Sequence, residues 1–140
     1  MPERLHEVMT RDPVTISADA NLHDAAEIMR DRNIGDVLVR RNATELCGIV
    51  TDRDIVVNAI AEGVDPATAT VDDVCSHNLK TLGSDDAIAE AVELMKQEAI
   101  RRLPIVVDGE VVGGVSIGDL AQDRDPNSAL GEISSAPANN

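Results

Sequence analysis

The 140 residues include no Phe, Tyr or Trp. A core must therefore be built from Ile, Leu, Val, Met and Ala, which a hydrophobic content of 43% can supply. The same absence removes a mode of recognition, because bases have no rings to stack on, as many single-strand nucleic-acid binders require. Basic residues are also scarce: 12 Lys plus Arg stand against 26 Asp plus Glu, a net charge of −14. The deficit is even, with seven basic and 13 acidic residues up to Asp65 and five and 13 beyond it. Both halves repel a phosphate backbone or an anionic membrane, so neither nucleic acid nor membrane is an expected partner. Met1-Pro2-Glu3-Arg4 lacks the apolar core of a signal peptide, and no apolar run approaches membrane-spanning length. Cys47 and Cys75 are the only cysteines and lack CxxC spacing, which points to the cytoplasm, with Cys47 as a core filler in an apolar run.

Chemistry-bearing clusters are missing too. His6, His23 and His77 are scattered over positions that read as solvated, and no His/Cys cluster has metal-ligand spacing. Gly113-Gly114 is not followed by the Lys of a phosphate-binding glycine loop. Neither enzymatic activity nor a metal centre is expected.

What is present is a repeat. Sliding the chain by 66 positions sets Leu5 on Val71, Thr15 on Thr81 and Asp19 on Asp85. Leu22, Ala25, Ala26 and Met29 then meet Ile88, Ala91, Val92 and Met95. Both quartets have i, i+3, i+4, i+7 spacing, which predicts two amphipathic helices, each with one buried stripe. Asp19 or Asn21, and Ser84 or Asp85, are available as caps. Two short apolar runs follow each helix, and Asp108-Gly109 between the last two is a hairpin signal. The pattern is strand, helix, strand, strand, helix, twice. It gives residues 1–65 as the first repeat, 66–125 as the second and 126–140 as an irregular tail. A small sheet with two helices exposes much apolar area alone, so a pair of copies has a physical reason to exist.

Each repeat ends in one signature. Gly48-Ile49-Val50-Thr51-Asp52-Arg53-Asp54 and Gly113-Gly114-Val115-Ser116-Ile117-Gly118-Asp119 both run glycine, apolar stretch, hydroxyl residue, then aspartate three positions later. This is a capping-box spacing, and the plain reading is that Thr51/Asp54 and Ser116/Asp119 only start helices. The other reading places N–H groups, a hydroxyl and a carboxylate around one cleft, where the carboxylate takes ribose hydroxyls and the helix start favours phosphate.

These junctions, with Ile34-Gly35-Asp36-Val37-Leu38-Val39 and Ile100-Arg101-Arg102-Leu103-Pro104-Ile105, resemble a tandem pair of cystathionine-β-synthase (CBS) domains, a Bateman module of the stand-alone bacterial type. The resemblance runs from Leu5 to Asp123. It implies an α/β (α+β) fold of two βαββα repeats, related by a pseudo-two-fold axis and packed sheet to sheet. It also implies a homodimer that signals to an unknown effector protein. The implied ligand is of the adenosine type (AMP, ADP, ATP or S-adenosylmethionine). No cofactor is required, and Mg²⁺ is the ion that could accompany a nucleotide. One implied cleft joins Thr51 and Asp54 to Ser76, Lys80, Ile100, Arg101 and Arg102. The other joins Ser116 and Asp119 to Thr10, Val14, Ile34 and Gly35. Arg101 and Arg102 suit phosphate and Asp36 opposes it, so the first cleft is expected to be the better site. Leu38 stands where the second repeat has Pro104, a departure from the family's Leu-Pro pattern. The alternative is a ligand-free interaction dimer whose junctions only cap helices.

Overall fold

The computed structural model describes residues 3–43, 45–124 and 127–136. In chain order its elements are β1 (Thr10–Arg11), β2 (Thr15–Ser17), α1 (Leu22–Arg32), β3 (Asp36–Arg40), β4 (Leu46–Thr51) and α2 (Asp52–Ile55), followed by α3 (Val71–Val74), α4 (Ile88–Glu98), β5 (Arg102–Val107), β6 (Glu110–Ser116), α5 (Ile117–Arg124) and α6 (Ala129–Ser135). A 3₁₀ turn covers Leu5–Glu7, and a π-helical turn over Val56–Ile60 continues α2. No helix among the described residues is long and apolar enough to cross a membrane.

The compact units are not the two sequence halves. One is Val14–Leu79; the other joins Met1–Pro13 to Lys80–Asn139. These units are a different grouping from the sequence repeats, and the cause lies in the backbone. The segment that opens each repeat bonds to the helix start of the other repeat's unit. Ile88 donates to the Glu3 carbonyl at 3.0 Å and Leu5 to that of Asp86 at 3.0 Å. At the equivalent positions, Leu22 donates to Ala69 at 3.2 Å and Val71 to Ala20 at 2.8 Å. Leu5 and Val71, the paired residues of these segments, are fully buried.

In the Val14–Leu79 unit the sheet order is β2-β3-β4, with β2 parallel and β4 antiparallel to β3. The other unit has order β1-β6-β5. Its counterpart of β2 is reduced to one parallel bridge, Leu82 to Ile105. The β5–β6 hairpin turns at Asp108-Gly109, both at positive φ (52° and 82°), as the sequence predicts.

Each unit has its own aliphatic core. Leu22, Ala25 and Met29 of α1 pack with Val37, Val39, Val50, Val71 and Val74. Ile88, Ala91 and Met95 of α4 pack with Leu5, Leu103, Ile105 and Val115. The predicted stripes are narrower than the quartets, since Ala26 and Val92 are exposed. Three residues per helix suffice because each faces one small sheet. Asn21 caps α1, accepting from the Asp24 amide at 2.8 Å. Neither Ser84 nor Asp85 caps α4: its N-cap is Ala87, and the Glu3 carbonyl satisfies the first amide of the helix instead. The tail is not wholly irregular, because Ser128 accepts from the Gly131 amide at 3.0 Å and starts α6.

Gly48 and Gly113 mark where the opening segments pass closest. A Cβ on Gly48 would lie 2.4 Å from the Ser76 carbonyl oxygen, and one on Gly113 would lie 2.6 Å from that of Thr10. Ser76 and Ile49 exchange backbone hydrogen bonds at 2.9 and 3.0 Å, and Thr10 pairs with Gly114. Glycine is required for this approach rather than for an unusual φ.

Candidate functional site

Both signature junctions close as reciprocal capping boxes. Thr51 donates its amide to Asp54 Oδ2 at 2.9 Å, and the Asp54 amide donates to Thr51 Oγ1 at 3.0 Å. The Ser116 amide donates to Asp119 Oδ2 at 3.0 Å, and the Asp119 amide to Ser116 Oγ at 3.1 Å. All four residues are half-buried. Each box uses Oδ2 of its carboxylate and leaves Oδ1 outside the box.

Sheet register decides what stands beside each box. Arg102 pairs with Ser116 and Asp36 pairs with Thr51. The carbonyl of Arg101 accepts from Ile117 at 3.0 Å, and that of Gly35 accepts from Asp52 at 3.0 Å. Arg101 and Arg102 therefore lie beside the second junction, and Asp36 beside the first. Around the second junction is a depression of about 430 Å³, whose lining includes Arg101, Arg102, Ser116, Asp119, Gln122 and Leu130. That volume falls within the range of small-molecule sites. Arg101 makes no ion pair among the described residues.

The remaining expected residues sort by unit. Val14, Ile34, Gly35 and Ser76 belong with Thr51 and Asp54. Thr10, Lys80, Ile100, Arg101 and Arg102 belong with Ser116 and Asp119. Ile34 and Ile100 pack on the two cores, the Val14 carbonyl accepts from Leu38 at 3.1 Å, and Thr10 and Ser76 are exposed beside their glycines. Within the units, the anion-friendly surroundings accompany Ser116/Asp119. Asp36, by contrast, accompanies Thr51/Asp54.

Sequence reading missed one cluster. His77 Nε2 lies 2.9 Å from Asp72 Oδ1 and 3.5 Å from Cys75 Sγ. Cys75 is buried in the core, whereas the other histidines make only exposed carboxylate contacts, His23 to Glu27 at 3.1 Å and His6 to Asp85 at 3.9 Å. Burial pushes the Cys75 thiol up to about 11, with Asp72, Cys47 and Asp54 adding to the shift. Burial likewise raises the half-buried Cys47 thiol.

Comparison with known proteins agrees with this geometry. The family model "CBS domain" matches twice, at residues 5–59 and 71–123. The CBS domain-containing protein YhcV of Bacillus subtilis is 36% identical over 89% of this chain and 88% of its own length. Some relatives are longer: the match spans 60% of a Methanopyrus kandleri protein. Hypoxic Response Protein I, whose crystal structure has two coordinated zinc ions, superposes with a TM-score of 0.78 at 28% identity, over 85% of this chain and 97% of that one. The CBS domain pair of protein MJ0100, in complex with 5′-methylthioadenosine and S-adenosyl-L-methionine, superposes with a TM-score of 0.78 at 23% identity, over 91% of this chain and all (100%) of that one. Two matched repeats, two capping-box junctions and two exchanged opening segments place this chain in the CBS domain family, as a tandem pair.

Proposed function

We propose that this CBS pair is a regulatory module that binds an adenosine-type ligand at the Ser116–Asp119 junction. The observation that carries the reading is the depression in which two arginines meet a capping carboxylate. Guanidinium groups suit a phosphate or carboxylate bidentately, Ser116 and the start of α5 add donors, and Asp119 Oδ1 is the acceptor for ribose hydroxyls. With no aromatic side chain in the protein, the base must rest on aliphatic groups such as Leu130. The complex of the MJ0100 CBS domain pair with 5′-methylthioadenosine and S-adenosyl-L-methionine supports the choice of ligand class. Asp36 disfavours phosphate at the Thr51–Asp54 junction, so that junction is proposed as the weaker site.

Signalling would pass through a homodimer. Val56 and Ile60 are 58% and 54% exposed on the turn that continues α2, an apolar face suited to a second copy. Sedimentation of Ile60→Asp tests this: the wild type should run as a dimer and the variant as a monomer.

Calorimetry with AMP, ADP, ATP and S-adenosylmethionine tests the ligand. Heat that is lost in Arg101→Ala, with an unchanged melting curve for that exposed substitution, supports the site. Equal binding by wild type and Arg101→Ala refutes it. The interaction-dimer reading predicts no heat with any of the four.

A further inference from the structure

Asp72, Cys75 and His77 lie at one end of α3, far in chemistry from the nucleotide-type junctions. Asp72 is in the first turn of α3, Cys75 is the residue that ends it, and His77 follows two positions later. One potential ligand atom from each residue falls within 4.8 Å of the other two, and no other such group of three occurs among the described residues. The three atoms are a carboxylate oxygen, a sulfur and an imidazole nitrogen, the donor set that suits zinc.

The spacing can be checked against tetrahedral geometry. With Zn–S of about 2.3 Å and Zn–N of about 2.05 Å, a tetrahedral angle puts sulfur and nitrogen about 3.6 Å apart. Cys75 Sγ and His77 Nε2 are 3.5 Å apart. Nitrogen and carboxylate oxygen should be about 3.3 Å apart in the same geometry. His77 Nε2 and Asp72 Oδ1 are 2.9 Å apart, so a shift of a few tenths of an ångström at one exposed side chain completes the fit. The backbone holding them is fixed. Ser76, between Cys75 and His77, exchanges two hydrogen bonds with Ile49, and Asp72 donates its amide to the Ala18 carbonyl at 3.1 Å. The Asp72 and His77 side chains are 45% and 50% exposed, leaving an entry path and room for a water as fourth ligand.

We infer that Asp72, Cys75 and His77 form a zinc-binding site that clamps the C-terminal end of α3. Cys75 binds as thiolate, and its proton passes to solvent as the Sγ–Zn bond forms. His77 binds through Nε2 as neutral imidazole, and Asp72 through Oδ1. The ion replaces the His77–Asp72 contact and ties the opening segment of the second repeat in place on the Val14–Leu79 unit.

The test uses the full, tag-free chain, stripped with chelator and titrated with zinc against a chromophoric competitor. One zinc per chain is expected. Loss of a residue that only supports a metal ligand costs about 10–100-fold in affinity, so His77→Ala and Cys75→Ser should each cost at least that. Cobalt(II) in place of zinc should give a thiolate-to-metal charge-transfer band that Cys75→Ser abolishes and Cys47→Ser retains. Because Cys75→Ser alters a core residue, the exposed His77→Ala carries the affinity comparison independently. A chain that takes up no zinc, a band that survives Cys75→Ser, or equal affinity in His77→Ala overturns the inference. In any of those cases the cluster is an ion pair beside a core thiol.

Discussion

Two adjacent glycines in β6 should respond oppositely to alanine. At Gly113 a Cβ would lie 2.6 Å from the Thr10 carbonyl oxygen and 3.0 Å from Met9 Sδ. Met9 can swing away, but the backbone oxygen cannot, so the two-residue strand β1 must be displaced. Overpacking of this kind costs about 1–3 kcal/mol. Loss of one or two β1–β6 hydrogen bonds adds about 0.5–1.5 kcal/mol each. Replacing a strand glycine by alanine returns about 0.5–1 kcal/mol of backbone entropy. The net for Gly113→Ala is a destabilisation of roughly 2–4 kcal/mol. At about 4 °C per kcal/mol for a chain of this size, Tm should fall by roughly 8–16 °C. At Gly114 the nearest atom to a Cβ is the Leu103 carbonyl oxygen at 3.7 Å, an ordinary contact, and only the entropy gain remains. Gly114→Ala should therefore leave Tm unchanged or raise it by about 2–4 °C. Calorimetric melts of the two variants and the wild type decide the matter. A Gly113→Ala protein as stable as Gly114→Ala would refute the close pairing of β1 with β6, and with it the exchange of opening segments.

The same exchange predicts which fragment folds. Residues 14–79 keep Val71 and Val74 for their core, whereas 1–65 lack them, so only 14–79 should give dispersed amide NMR spectra. Equally dispersed spectra from 1–65 would contradict the division. Thr51→Ala removes one capping oxygen and should destabilise by about 1 kcal/mol, measured by denaturant melts, whatever the ligand does. The Glu7 carboxylate accepts from the Arg4 and Glu3 amides at 3.0 and 3.1 Å, which hold it below its ordinary pKa. Its stabilising contribution is therefore present above the unfolded-state pKa and lost as pH falls through the lower folded value. Carboxyl NMR titration should place Glu7 below an ordinary glutamate, and Glu7→Gln should flatten that acidic part of the stability profile. An unshifted titration would contradict the capping contacts.

Local order was legible because local chemistry dictates it. Apolar spacing located α1 and α4, Asp108-Gly109 gave the hairpin, and hydroxyl-x-x-Asp marked both capping boxes. What depends on distant partners was not legible. Ala87 carries no capping side chain, and only the Glu3 carbonyl, far off in sequence, explains how α4 starts. The exchange of opening segments leaves no local trace, since Leu5 and Val71 would be buried in either arrangement. The place of Arg102 beside Ser116 within its unit follows from strand register, which no local pattern announces. Asp72, Cys75 and His77 escaped notice because their spacing spans a helix end and matches neither a helical face nor a familiar ligand motif. The short helix α6 begins at one serine cap in a stretch whose proline, asparagine and serine content reads as irregular.

The central functional claim rests on Arg101 and Asp119 sharing one ligand at the second junction. Thermal melts of wild type, Arg101→Ala and Asp119→Asn across a panel of adenosine-type ligands test it most directly. At a ligand concentration of 100 times Kd, binding adds about 2.7 kcal/mol to the folded state. For this chain that is a rise of about 10 °C in Tm for the wild type, and it should be lost or sharply reduced in both variants. An unchanged wild-type midpoint with every ligand at millimolar concentration, or equal rises in all three proteins, would contradict the account.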